Sequence, residues 1–234
     1  MTSLYFVTPA WQRFELTAIC LEQRRRVIDE LAGHGIEAQC VVIADDENLD
    51  TARALGFETV ERDNEWLGRR FNDGMQHAGY HGADWIVPIG SDSWIDAAYF
   101  TPLPRATRTR TSGMYAPVEL ARLAELRVGR RGAGPYMLHR SLLEPIAFRP
   151  AIDEITRRVD SSTVRGIPGP IRWERRDLHP LQYIGFRLPP LITEYDRLWE
   201  RWGVVERTDP WEQLATVYPI DLVERARQAM EAAA

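Results

Sequence analysis

Residues 85–96 read Trp-Ile-Val-Pro-Ile-Gly-Ser-Asp-Ser-Trp-Ile-Asp: an apolar run, then a turn of small, oxygen-bearing residues with one carboxylate, Asp92, at its tip. The run has the length and character of a buried strand. A carboxylate at the carboxyl-terminal edge of such a strand is placed for divalent-cation chemistry, because open α/β sheets bind ligands along that edge. Hard ions such as Mg2+ take carboxylate oxygens and keep other positions for phosphates. The plainer role for Asp92 is to cap the segment that follows, as Asp does after a strand.

Toward the N-terminus the chain alternates strands and helices. Leu4–Thr8 is a short apolar strand that stops at Pro9, and a helix follows from about Arg13 to Leu31, its apolar face made by Leu16, Ile19, Cys20, Val27 and Leu31. Gln39–Ala44 is a second strand, suited to cover on both faces, and ends in Asp45-Asp46. A short helix at Leu49–Leu55, a strand around Glu58–Glu61, a helix from Leu67 to about Ala78 and the strand Asp84–Ile89 complete the series. Strand-helix alternation of this kind implies parallel strands joined by right-handed crossovers, an α/β fold with helices on both faces of a mostly parallel sheet.

Beyond Asp96 the pattern changes. Pro102 and Pro104 open a loop; Thr111–Val118 and Leu123–Val128 look like antiparallel strands, as does Pro135–His139, which is followed by a helix near Arg140–Pro145. A helix or helical turn is expected over 151–165, a late strand over Gln182–Arg187, and amphipathic helices over Tyr195–Trp202 and Ile220–Ala233.

Composition narrows the function classes. With 234 residues, 44% hydrophobic and 27% charged, the chain can bury a full core, and no apolar run reaches membrane-helix length. A net charge of −5 argues against a protein that coats nucleic acid, although Arg105, Arg108, Arg110, Arg122, Arg127, Arg130 and Arg131 make the middle of the chain locally basic. The two cysteines, Cys20 and Cys40, fall on a buried helix face and a buried strand and behave as small apolar side chains. The first residues lack a basic, cleavable leader, so a cytoplasmic location is expected.

The order of these features, over roughly residues 4–165, resembles the GT-A glycosyltransferases of the family-2 type. Thr8-Pro9-Ala10-Trp11 stands where that family's first strand receives the nucleotide base, and Asp45-Asp46 where an acidic pair reads base or ribose. Gly68-Arg69-Arg70-Phe71-Asn72-Asp73-Gly74 is similar to the family's Gly-x-x-x-Arg-Asn-x-Gly segment. Gly90-Ser91-Asp92 is similar to its Asp-x-Asp metal motif, with Gly90 in place of the first Asp. The resemblance implies a Rossmann-like GT-A sheet with a mixed, antiparallel acceptor-side region and a helical C-terminal extension. Residues 1–185 are expected to form the catalytic domain, 1–98 as the nucleotide-binding half and 99–185 as the acceptor half, with 186–234 the extension packed on it.

The site residues implied are Thr8, Pro9, Ala10, Trp11, Asp45, Asp46, Arg70, Asn72 and Ser91 for the nucleotide sugar, and Asp92 for a divalent metal, Mn2+ or Mg2+. Each has a structural alternative: turn formation for Asp45 and Asp46, a solvated and capped first helical turn for Arg70 and Asn72, partly buried packing for Trp11. An inverting transfer needs a carboxylate to take the acceptor proton, and the family's pattern points to Asp160, with Asp153 as runner-up and a helix-surface carboxylate as the alternative for both. His179 matches a late histidine that serves as a third metal ligand in several GT-A enzymes; packing is its alternative. The Gly129–Gly134 loop could close over the donor, and Tyr195, Leu198, Trp199, Trp202 and Trp211 form an aromatic surface for packing, acceptor binding or self-association into a homo-oligomer.

Three readings follow. One is a metal-assisted hexosyltransferase using a nucleotide diphosphate sugar, UDP-linked, whose acceptor is a protein, a glycan, a nucleic-acid base or a small molecule. Another is a catalytically inactive GT-A-like module that binds a nucleotide or a partner. The third, a sugar nucleotidyltransferase, calls for a Gly-rich loop after the first strand, and Thr8–Arg13 contains no glycine.

Overall fold

The computed structural model describes residues 2–103, 136–155, 163, 165–168 and 210–232, with the strands at 112–115, 119–122, 125–128, 172–175 and 183–186. Four parallel strands form the heart of the molecule: β1 (Thr2–Pro9), β2 (Ile36–Ala44), β3 (Glu58–Glu61) and β4 (Trp85–Pro88). The helices between them are α1 (Phe14–Gly33), α2 (Asn48–Ala54) and α3 (Leu67–Tyr80). The expected strand-helix series is therefore present, with ends shifted by at most three residues.

Alternation along β1 sends side chains to opposite faces. Leu4 and Phe6 pack with Leu21, Val27, Ile28 and Leu31 of α1, and Tyr5 and Val7 pack with Phe71, Met75 and Ala78 of α3. α1 and α3 thus cover opposite faces, and both faces of the central strands are buried.

The second half adds β5 (Ser93–Ile95), β6 (Ser112–Tyr115), β7 (Glu119–Arg122), β8 (Glu125–Val128), β9 (Met137–His139), α4 (Arg140–Leu143), β10 (Arg172–Arg175) and β11 (Tyr183–Phe186). The large sheet runs β10-β6-β9-β4-β1-β2-β3, with β9 antiparallel to both of its neighbours. A second sheet runs β5-β11-β7-β8, in which β11 is antiparallel to β5 and parallel to β7. The mixed second half holds as expected, but the strand expected at 123–128 occupies 125–128, and β5, β7 and β10 were not anticipated. Of the helix or helical turn expected over 151–165, residues 151–155 form turns, and Thr163, Arg165 and Gly166 are helical.

The C-terminal helices α5 (Pro210–Leu214) and α6 (Ile220–Ala232) close the small sheet. Trp94 of β5 is fully buried between Phe186, 4.8 Å away edge to face, and Tyr218, 4.7 Å away. Trp211 stacks on Phe186 and is buried, so its aromatic face lies inside the chain and is not open for self-association. Trp199 and Trp202, with the helix expected at 195–202, lie outside the described residues. α1 is consequently covered on two sides, by the large sheet and by this second core, which contains Leu16, Ile19 and Cys20. Among the described residues no helix is long and apolar enough to cross a membrane.

Candidate functional site

The chain leaves β1 to build α1 on one face and enters β4 from α3 on the other, so the carboxyl ends of β1 and β4 flank a topological switch point, where open α/β sheets leave a crevice. Three segments meet at this edge: the β1–α1 loop, the end of β2 and the turn after β4.

The β1–α1 loop is held from both sides. Ala10 N donates to Ile43 O at 2.9 Å, Gln12 N to Asp46 Oδ2 at 2.9 Å, and Arg13 Nη1 to Asp92 Oδ2 at 3.1 Å. Gln12 and Arg13 both adopt φ of 50°, the left-handed region that costs a non-glycine residue about 1–3 kcal/mol. The two carboxylate contacts hold that strained shape. Of the predicted residues here, Thr8, Pro9 and Ala10 are buried and form a floor under the loop, whereas Trp11 is 43% exposed.

Beneath the floor lies a fully buried arginine that sequence reasoning missed. Arg24 of α1 donates through Nη1 to Thr8 Oγ1 at 2.6 Å and through Nη2 to Ser93 O at 2.9 Å, with its guanidinium over the Phe6 ring. It lies in the run Gln23-Arg24-Arg25-Arg26, which resembles a solvated helix face; only the double cover of α1 turns Arg24 inward.

At the end of β2 the two acids differ. Asp46 takes Gln12 N on one oxygen and Asn48 N and Nδ2 on the other, at 2.8–3.0 Å, so it is a framework residue of the loop. Asp45 is exposed and accepts from Asn64 N at 3.1 Å.

After β4, Asp92 receives Arg13 on Oδ2 and the Ser93 hydroxyl on Oδ1 at 3.2 Å, and its carbonyl accepts from Phe186 N at 2.8 Å. Ser91 is half-buried beside it. A Cβ placed on Gly90 would lie 2.6 Å from Asp92 Oδ1, which explains the glycine physically: the carboxylate folds back over it. Asp92 and Ser91 offer hard oxygen donors of the kind Mg2+ and Mn2+ take. The guanidinium against Asp92 shows that the position tolerates positive charge.

Structural comparison places the architecture. No protein-family model and no curated protein matches the sequence. Residues 1–349 of S. aureus TarS, solved in complex with UDP, superpose with a TM-score of 0.56 at 13% identity, covering 92% of this chain and 70% of that one. The longer S. aureus TarS structure gives 0.55 at 14% identity, with 92% of this chain and only 42% of that chain covered. The 4-diphosphocytidyl-2C-methyl-D-erythritol synthase of Anaerococcus prevotii gives 0.51 at 9% identity, covering 85% and 93%. The chain has the GT-A fold.

In this GT-A chain the Gly68–Gly74 segment directs its donors inward. The first-turn amides of α3 bond the chain itself, Gly68 N to Ile155 O at 2.9 Å and Arg69 N to Asp153 O at 3.1 Å. Arg70 is buried and donates to Ala10 O, to Ile43 O at 2.6 Å and to Asn64 Oδ1; burial pulls its pKa down while Asp45, Asp46 and Asp63 oppose that. Asn72, also buried, bonds Ala151 O at 2.8 Å and Asp153 Oδ1 at 2.7 Å and accepts from Ala151 N. Both side chains are buried, so the alternative of a solvated first turn does not hold for them.

Both carboxylate oxygens of Asp153 also accept from Arg149 Nη2, at 2.9 and 3.0 Å. Burial raises its pKa, but the Asn72 and Arg149 hydrogen bonds outweigh that and leave it below the ordinary carboxylate value. A carboxylate so held is ionised but weakly basic. Asp160 and His179 lie outside the described residues, as does the Gly129–Gly134 loop.

Proposed function

We propose that this chain is a glycosyltransferase that moves a sugar from a nucleotide diphosphate sugar, UDP-linked, to an acceptor hydroxyl by an inverting, metal-assisted displacement. What supports it most is that Trp11, Asp45 and Asp92 follow the carboxyl ends of β1, β2 and β4 at the switch point of a GT-A sheet, with TarS, whose structure contains UDP, among the chains of similar fold. Trp11 supplies an exposed ring for the base and Asp45 an exposed carboxylate for the base or ribose. Thr8, Pro9 and Ala10 shape the floor, and Arg70 and Asn72 brace it from below without touching the donor. Asp92, with Ser91, would hold Mn2+ or Mg2+, which would neutralise the departing diphosphate. Arg13 moves its guanidinium from Asp92 to the phosphates as the donor enters. The acceptor proton goes to Asp160; Asp153 is too firmly paired with Arg149 to compete as the base.

A thermal-shift series with nucleotide sugars, with and without Mn2+, tests this, because a ligand bound only by the folded state raises Tm. UDP-sugars should raise it only when Mn2+ is present, and Asp92→Ala should remove the metal-dependent part. Absence of a shift with every nucleotide sugar, with or without Mn2+, would sink the proposal. The missing first acid at Gly90 favours one second reading, an inactive nucleotide-binding module. Metal-dependent hydrolysis of a UDP-sugar by the wild type excludes it.

A further inference from the structure

We propose that Glu58, His77 and His81 form a binding site for a divalent transition-metal ion of the zinc class, separate from the crevice that carries Asp92. One ligand atom from each of the three lies within 4.8 Å of the other two. His81 comes four residues before β4 begins at Trp85, and Asp92 four residues after it ends at Pro88, so the two sites stand at opposite ends of one strand.

The chain builds this cluster from regular elements. Glu58 opens the edge strand β3, His77 lies in the last turn of α3, and His81 is that helix's C-terminal cap. The histidines are four residues apart, which puts them on one helix face, and their rings stack at 4.2 Å. His77 Nε2 is 2.6 Å from Glu58 Oε2, and His81 Nδ1 is 3.9 Å from Glu58 Oε1. Zinc–ligand bonds of about 2.0–2.1 Å at tetrahedral angles put neighbouring donor atoms roughly 3.3 Å apart. The two observed separations straddle that value, one shorter and one longer, so small side-chain adjustments at both histidines would bring the donors to it. Two imidazoles and a carboxylate suit zinc-type ions far better than Ca2+ or Mg2+, which prefer oxygen alone.

Two further observations fit a cation here. The site abuts the C-terminal end of α3, the negative pole of the helix dipole. Tyr5, buried in the sheet, donates its hydroxyl to Glu58 Oε1 at 3.2 Å. That hydrogen bond fixes the carboxylate, as outer-shell partners of metal ligands do. Glu58 and His77 are about three-quarters covered and His81 is half open, which leaves a path for the ion and a fourth position for water. Bound there, the ion would clamp edge strand β3 to α3.

Chelator-treated full-length protein titrated with ZnCl2 in a calorimeter tests the site. One ion per chain is expected, with micromolar or tighter affinity and a Tm rise of about 5 °C at a hundredfold excess over Kd. His81→Asn, an exposed position that leaves the core intact, should weaken binding at least tenfold; His77→Asn and Glu58→Gln should do the same. Asp92→Ala and His179→Asn should keep the full stoichiometry. Absence of zinc binding by the wild type, wild-type affinity in His81→Asn, or loss of the ion in Asp92→Ala or His179→Asn would each overturn the proposal. None of these outcomes depends on glycosyl transfer.

Discussion

Adding one methyl group at Gly90 tests how Asp92 is held. Gly90 is not among the described glycines with positive φ, which are Gly35, Gly56 and Gly82, so the backbone accepts alanine there and the cost is purely steric. The new Cβ would sit 2.6 Å from Asp92 Oδ1, the end of a side chain and not backbone, so the carboxylate turns away. Turning forfeits the 3.2 Å hydrogen bond from Ser93, about 1 kcal/mol. It also weakens the 3.1 Å ion pair with Arg13, worth up to about 1 kcal/mol at such a partly covered site. Lower entropy of the unfolded chain returns roughly 0.4–1 kcal/mol. Gly90→Ala should therefore destabilise by about 0.5–1.5 kcal/mol, a Tm fall of about 2–5 °C for a chain of this size. Mn2+-dependent UDP-sugar binding should weaken about tenfold or more, since losing one oriented ligand costs on the order of 1.4 kcal/mol. Gly33→Ala is the matched control: nothing lies within 4 Å of its added Cβ, and the substitution should raise Tm. Both would be read by scanning calorimetry and donor titration. A Gly90→Ala protein as stable as wild type with unchanged metal dependence would refute the account of Asp92, as would a Gly90→Asp protein that binds metal tenfold more tightly.

Two other perturbations reach the framework under the crevice. Arg24→Met should cost about 2–4 kcal/mol in urea denaturation, because Thr8 Oγ1 and Ser93 O lose their buried donor; a loss below 1 kcal/mol would mean that the guanidinium is not what joins α1 to the floor. Asp153 gives a pH prediction. Its folded pKa lies below the unfolded value near 3.8, so its contribution to stability is present above that pH and vanishes as pH falls through the folded value. The stability gap between wild type and Asp153→Asn should be constant from pH 7 to 5 and close in acid. A gap that widens toward low pH would refute the Asn72 and Arg149 pairing.

The fold was legible where a period was long enough to count. β1 and β2 are eight and nine residues long, and the buried Leu4, Phe6 and Val7 or Cys40, Val41, Val42 and Ile43 have no other placement. β5, β7 and β10 have three or four residues each and carry no readable alternation. They exist because a neighbouring strand or helix completes their hydrogen bonds, as Gln23 Nε2 does for Ile95 O at 2.7 Å. Arg24 was illegible for the same reason: its burial depends on the second sheet and the C-terminal helices, whose cover over α1 no local pattern announces.

At the site, position and role part company. Asp45, Asp46 and Asp92 were legible as edge residues because strand order fixes where each strand ends. The Gly68–Gly74 segment, which resembles its family pattern, turns its donors onto the chain itself. A Cβ at Gly74 would come 2.5 Å from both Val7 and Ile43, and one at Gly68 would strike Ile152 O at 1.9 Å. Arg70 meanwhile ties the ends of β1 and β2 together. This segment is a docking surface that seats α3 on the sheet and receives the 151–155 turn. Likeness in these residues therefore supports the fold, and the proposed chemistry rests on Asp92, Asp45 and Trp11. Loss of Asp92 should silence metal-dependent donor binding while the Gly68–Gly74 framework keeps the protein folded.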